Sequence, residues 1–370
     1  MTGPRTLTCA RPDIGGVGQQ IYSGVKLAVS DSEFGLVWVH ACYPPLIHFT
    51  RLALDFTILS DTVPIGSAPP AYARTSIASS SAGWLIAIAS PEGISLLSFD
   101  KGGTATGSRD VSFSKRFGGS EETLVPRAGG DPLVMWVDGM SPGTLPSEGT
   151  LHAQLLSPDA SAKGIEVTVL NTSVIGTAGV AVSDGFELAM TVRSGAPGDP
   201  GTIQLVHIAL DGTSRMDARI PLTGLPNEAQ TWLSLGWSGS ELQLMYYLWM
   251  DAGEPAILLQ RVTESGVLVG TPIHVVDLPS FGHFFFPMLA IGSDTVLLRA
   301  TPPFGSSADV LRLNSSGSDV WPPAPVVRAP NIYSIAMVGQ GSDAVIAWNA
   351  SRDYTLTTST LELARIRLTP

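Results

Sequence analysis

One phrase recurs along this 370-residue chain, and no other feature limits its fold as strongly. "DAVIAWNASRDY" at 343–354 joins a turn Asp, an apolar strand-like stretch and a polar loop. Taking Trp348 as the reference position, "FGLVWVHA" supplies Trp38, "GWLIAIAS" Ile88 and "PLVMWVDG" Trp136. "FELAMTVRS" supplies Thr191, "LQLMYYLWM" Tyr247 and "TVLLRATPP" Arg299. The spacings are 50, 48, 55, 56, 52 and 49 residues. A near-constant period of this size marks an array of equal structural units.

Each unit has the same internal order. A short apolar strand ("VKLAV", "GVAV", "PMLAI", "SIAMV") meets a tight turn ("SDSE", "GGDP", "SDGF", "SGSE", "GSDT", "GSDA"). Asp, Gly and Ser suit such turns because they tolerate left-handed backbone or bond their own main chain. The strand with the reference position follows, then a loop and a third strand such as "LIHFTRLAL", "TIQLVHIAL" or "TLELARIRL". A second hairpin signal, clearest in "LDGT" at 210–213, leads to a weaker fourth strand. No long segment has a 3.6-residue apolar period, so few helices are expected. Seven units of four strands predict an all-β chain, a seven-bladed β-propeller of four antiparallel strands per blade.

The expected blades are 21–70, 71–120, 121–171, 172–224, 225–279, 280–329 and 330–370 plus 5–10, within one domain 1–370. The last unit stops after its third strand, while "RTLTCAR" precedes the first. Arg5 to Ala10 is therefore expected to pair within 357–369 as the missing outer strand and to close the ring. Equivalent positions in such a ring serve packing between blades. Trp38, Trp136 and Trp348 are accordingly expected to be buried, and "MYYLWM" at 245–250 to pack between blades.

The pattern resembles the seven-bladed β-propeller superfamily across nearly the whole chain. It lacks the regular Gly-His and Trp-Asp signature of WD40 repeats, kelch glycine pairs and the sialidase Asp-box turn. Its phrases are similar to the degenerate repeats of propellers secreted by some high-GC bacteria, and seventeen Arg against four Lys fits such a genome. That resemblance implies a bacterial protein in an extracellular or periplasmic setting, and no catalytic motif.

Composition excludes several functions. Net charge is −11 and the basic residues are scattered, so no concentrated positive surface for nucleic acid is expected. No stretch reaches the roughly 18–20 apolar residues of a membrane helix. The opening "MTGPRTLTCARPDIGG" has no apolar core of a signal peptide. The chain is expected to act as a monomer without cofactor.

Three stretches bear chemistry. In "HACYPPLIH", His40 and Cys42 share one strand face and His48 lies across the hairpin, which suggests metal ligands. The plainer reading puts both histidines on a blade surface, and no metal site is assigned. Cys9 and Cys42 alternatively form a disulfide tying the closing strand to blade 1, if their Cα atoms lie within about 7 Å. In "FGHFFFPM", His283 stands among Phe281, Phe284, Phe285 and Phe286, either as an exposed aromatic ligand site or as inter-blade packing. The sequons "NTS" at 171–173 and "NSS" at 314–316 carry weight only in a secreted eukaryotic protein.

The connections that cross from one blade to the next contain "PPAYART", "EETLVPRA", "NEAQTWL" and "APNIYS". These bring Arg74, Arg127, Trp232, His283 and Tyr333 toward the axial opening, a set suited to a carboxylate, sugar or peptide side chain. Asp31, Asp131, Asp184, Asp294 and Asp343 are read as structural occupants of one hairpin position. No nucleophile with a paired base and no carboxylate pair can be named. The expected function is non-enzymatic binding of a protein, carbohydrate or small molecule at the axial funnel. The alternative is a hydrolase or lyase acting there.

Overall fold

The apolar stretches form strands of three to ten residues, apart from one of twenty. The computed structural model describes residues 5–8, 24–40, 46–67, 74–90, 93–112, 123–138, 149–193, 201–221, 233–248, 256–277, 287–301, 307–320, 324–328, 331–351 and 358–368. Among these residues there is no helix. In chain order the strands are β1 (Arg5–Thr8), then β2 (Lys26–Val29), β3 (Glu33–His40), β4 (Leu46–Ala53) and β5 (Ile58–Ser67) of blade 1. Blade 2 holds β6 (Arg74–Ser79), β7 (Gly83–Ser90), β8 (Gly93–Asp100) and β9 (Ala105–Ser112). Blade 3 begins with β10 (Thr123–Val125), β11 (Leu133–Asp138) and β12 (Gly149–Leu156).

The strand β13 (Ala162–Ala181) runs through two blades, outermost in blade 3 and innermost in blade 4. Blade 4 continues with β14 (Gly185–Arg193), β15 (Thr202–Ala209) and β16 (Ser214–Pro221). Blade 5 is β17 (Leu233–Trp237), β18 (Glu241–Leu248), β19 (Ala256–Thr263) and β20 (Leu268–Asp277). Blade 6 is β21 (Met288–Ile291), β22 (Asp294–Thr301), β23 (Ser307–Leu313) and β24 (Ala324–Arg328). Blade 7 is β25 (Asn331–Gln340), β26 (Asp343–Ser351) and β27 (Thr358–Arg367).

The fourth strand of blade 7 is β1, antiparallel to β27 from Arg5↔Leu361 to Thr8↔Thr358, giving the order β1-β27-β26-β25. The N-terminal strand thus closes the ring. Each innermost strand neighbours the next, and β25 returns to β2. Serines link these strands. Val25 N donates to Ser334 Oγ at 2.5 Å across the closure, and Leu124 N to Ser76 Oγ at 3.1 Å between blades 2 and 3.

Because both faces of each blade are covered, the core is divided among interfaces. Seven apolar clusters correspond to seven blade–blade interfaces. The closing one joins Leu36 and Trp38 of blade 1 to Val345 and Ala347 of blade 7. Arg365 of blade 7 also donates to the Leu54 carbonyl and lies 5.3 Å from the ring centre of Phe56 in blade 1. The chain is a seven-bladed β-propeller.

Trp38, Trp136 and Trp348 are all buried, each packed toward the preceding blade. The reference position needs correction in two blades. Met190 and Tyr246, not Thr191 and Tyr247, face the preceding blade in the same way. The strands "FELAMTVR" and "ELQLMYYL" are apolar on both faces, so the alternation that would fix their parity is missing.

Candidate functional site

A four-stranded meander places its first-to-second and third-to-fourth turns at one end of the ring. The second-to-third loops and the crossing connections fall at the other. Arg74 is the first residue of β6 and Tyr333 the third of β25, so both backbones lie at the crossing end. Trp232, His283 and the phenylalanines around it lie outside the described residues, as do Cys9 and Cys42 of the suggested disulfide. His40 closes β3. His48 is buried rather than on a blade surface, stacked on Trp38 with ring centres 4.4 Å apart.

Arg127 is placed at the opposite end. The inner strand β10 starts at Thr123 and ends at Val125, so Arg127 follows it in the first-to-second turn. There it donates to the Ser183 carbonyl at 3.5 Å, in the corresponding turn of blade 4. The stretch "EETLVPRA" contains its own inner strand, which the weak apolar signal of three residues concealed.

The turn end is built from two repeated devices. The third-to-fourth hairpins share one hydrogen-bond pattern, as in Ala53 N→Thr57 O, Asp100 N→Thr104 O, Ala209 N→Thr213 O and Thr263 N→Val267 O. Each needs one left-handed residue, supplied by Gly103, Gly212, Gly266 and Gly317, by Ala160, and in blade 1 by Phe56 at φ 71°. The second device is an acid at the start of the second strand, clamped by a cation. Glu33 binds Arg51 at 2.7 Å, Asp294 binds Arg312 at 2.8 Å, and Asp343 lies 3.9 Å from Arg365. Glu241 pairs with Arg261, and Asp131 with Lys163. Asp131, Asp294 and Asp343 therefore share one position with Glu33 and Glu241, whereas Asp31 and Asp184 sit inside their turns.

Blades 2 and 4 lack the clamp, blade 2 having Gly83 at the acid position and Ser98 opposite Leu85. In blade 4, Gly185 stands where the clamping acid would be, two residues before Glu187, and His207 stands opposite Glu187 where Arg51, Arg261, Arg312 and Arg365 stand in other blades. Glu187 and His207 are each 2% exposed. His207 Nδ1 lies 2.8 Å from Glu187 Oε1, and Nε2 lies 3.5 Å from Asp184 Oδ1. A β-bulge between Leu205 and Val206 inserts Asp217 into β16, and Arg215 holds its carboxylate at 2.8 and 3.3 Å. One ligand atom from each of Glu187, His207 and Asp217 fits within a 4.8 Å spread, close enough to share an ion. Burial, with the negative charges of Asp217 and Asp184 beside it, pushes the Glu187 carboxyl up to about 9 against the pull of Arg215. The carboxyl therefore holds its proton well above the ordinary carboxylate range. Sequence reasoning missed this group because its members lie on three strands. The available signal was an acid facing the core in an otherwise apolar strand.

No family model matches the sequence, and the search of curated proteins finds no match. Solved structures with similar folds include the WD40 domain of Toxoplasma gondii coronin. It is 11% identical, covers 98% of this chain and 86% of that one, and has a TM-score of 0.56. The Trypanosoma rangeli sialidase is 9% identical over 97% of this chain and 57% of the sialidase, with a TM-score of 0.50. The fucose-specific lectin of Aleuria aurantia is 13% identical over 85% of this chain and 99% of the lectin, with a TM-score of 0.49. At such identities the likeness concerns the fold alone, and the lectin's score is too low to argue from.

Proposed function

We infer that this propeller is a binding or interaction module whose ligand enters at the crossing end of the ring. The observation that carries this reading is the contrast between the two ends. The turn end repeats one hairpin through the ring and one acid–cation clamp in blades 1, 3, 5, 6 and 7. The second-to-third connections at the other end are dissimilar, running from "PE" at 91–92 in blade 2 to the ten residues 139–148 in blade 3, with "SGAPGDPG" at 194–201 and "WMDAGEP" at 249–255 between them in length. Uniform turns serve a scaffold, while length and variety are what binding loops contribute.

Arg74, Trp232, His283 and Tyr333 are assigned to the site, and Arg127 is not, because its turn lies at the far end. An arginine fork with aromatic faces suits a carboxylate-bearing sugar or peptide. The suggested setting is extracellular or periplasmic. The test is an array of acidic and neutral glycans and peptides probed with the full chain, followed by titration calorimetry on each hit. Arg74→Ala and Trp232→Ala should weaken binding at least tenfold, with Arg127→Ala unchanged. Binding lost only in Arg127→Ala would move the site to the turn end and overturn the assignment.

A further inference from the structure

We propose that Glu187, His207 and Asp217 form a binding site for one divalent transition cation of the zinc type, which staples the three outer strands of blade 4 beside blade 5. The site is separate from the ligand site at the crossing end.

The seven second strands present Gly35, Leu85, Leu133, Glu187, Gln243, Val296 and Val345 at one equivalent place, facing the following blade. Five of these are glycine or aliphatic. Gln243 is polar, and both ends of its amide are met: Oε1 accepts from Thr295 Oγ1 at 2.7 Å, and Nε2 donates to the Asp294 carbonyl at 3.3 Å. Glu187 is the only carboxyl in the set; its buried Oε2 has no donor within reach and meets only the Asp217 carboxylate. A buried carboxyl oxygen facing another acceptor is costly. Its neighbour Asp217 brings a second acceptor rather than a donor. Between two such groups a proton or a cation must stand.

The donor set suits such a cation. Ligands about 2 Å from a zinc ion place adjacent donor atoms about 3 Å apart. His207 Nδ1 and Glu187 Oε1 are 2.8 Å apart, and the bulge delivers the Asp217 carboxylate to the same point. With Nδ1 on the cation, Nε2 is left 3.5 Å from Asp184 Oδ1, not yet a hydrogen bond but near enough for that carboxylate to become the partner that orients a metal-bound imidazole. An imidazole in the set favours zinc over calcium or magnesium, which prefer oxygen alone. Arg215 opposes the added charge. It is 54% exposed at its side chain, where solvent screens its charge, and a carboxylate has lone pairs for both it and the metal. The cation displaces the proton from Glu187 into solvent, so binding acidifies the medium.

The test uses the full chain stripped with EDTA and titrated with zinc chloride against a chromophoric chelator. One zinc per chain is expected, with a higher melting temperature and tighter binding than for magnesium or calcium chloride. Cobalt chloride should give the visible absorption of a low-coordinate Co2+ site. Glu187→Gln and His207→Gln should abolish the step. Asp184→Asn alters an exposed side chain, so folding is spared, and it should weaken zinc about 10–100-fold. Zinc binding absent from the wild type, equal in Asp184→Asn, or no tighter than magnesium would overturn the proposal.

Discussion

At the scale of the residue, two tryptophans show how one position does one job in different blades. Trp38 stacks on His48, and Trp136 stacks on His152 with ring centres 5.4 Å apart, each across the same register of second and third strands. Both indoles are 3% exposed. Trp136→Ala is expected to cost about 3–5 kcal/mol through the cavity it leaves, read by denaturant unfolding. A loss under 1 kcal/mol would mean the interface closes over the gap. Glu187 makes a pH prediction for metal-free protein in chelator. Its folded value of about 9 lies above the ordinary 4.5, so the folded chain keeps a proton that the unfolded chain gives up. The associated stability is whole below pH 4.5 and declines as pH rises toward 9. Glu187→Gln should flatten that decline and gain on the wild type as pH rises. Parallel curves for the two proteins across this range would contradict the buried neutral carboxyl.

At the scale of the element, the strands were legible and their sidedness was not. Turn residues such as "SDSE" and "LDGT" mark hairpins in the sequence because Ser, Asp and Gly meet local backbone needs. Met190 and Tyr246 were misplaced by one residue because strands between blades are buried on both faces. The site was less legible still. His207 and Asp217 reach Glu187 through a register and a bulge, and neither leaves a trace in sequence spacing. The clamps permit a comparison. Arg51 and Glu33 are 13% and 8% exposed at their side chains, whereas Lys163 is 55% exposed. Arg51→Met, which strands a buried Glu33, should cost about 1–3 kcal/mol. Lys163→Met should cost under about 1 kcal/mol. Gly35 tests close approach, because a Cβ there would lie 2.6 Å from the Trp84 ring of blade 2. Gly35→Ala should therefore destabilise by about 1–3 kcal/mol by overpacking, measured by thermal unfolding.

At the scale of the whole molecule, the period alone disclosed the ring, since seven equal units with no long helix leave few ways to bury their faces. The closing strand was legible because the last unit lacked a fourth strand and the chain began with a spare one. The continuous β13 was not, and the blade boundary expected between 171 and 172 falls inside it. In the ring its residues there pair to both sides, Thr172 with Gly149 and Ser173 with Arg193. The division of the ring into two ends depends on a closed circle of seven interfaces. The latch is the pairing of β1 with β27, reinforced by Arg365 against Phe56 and Leu54. The most direct test is the unfolding midpoint of the chain lacking residues 1–12, compared with the full chain under the same conditions. Closure predicts a loss of several kcal/mol and a lower midpoint, because β27 becomes an unpaired edge and blade 7 is left one strand short. An unchanged midpoint would mean that the ring does not depend on its N-terminal strand, and would contradict the account.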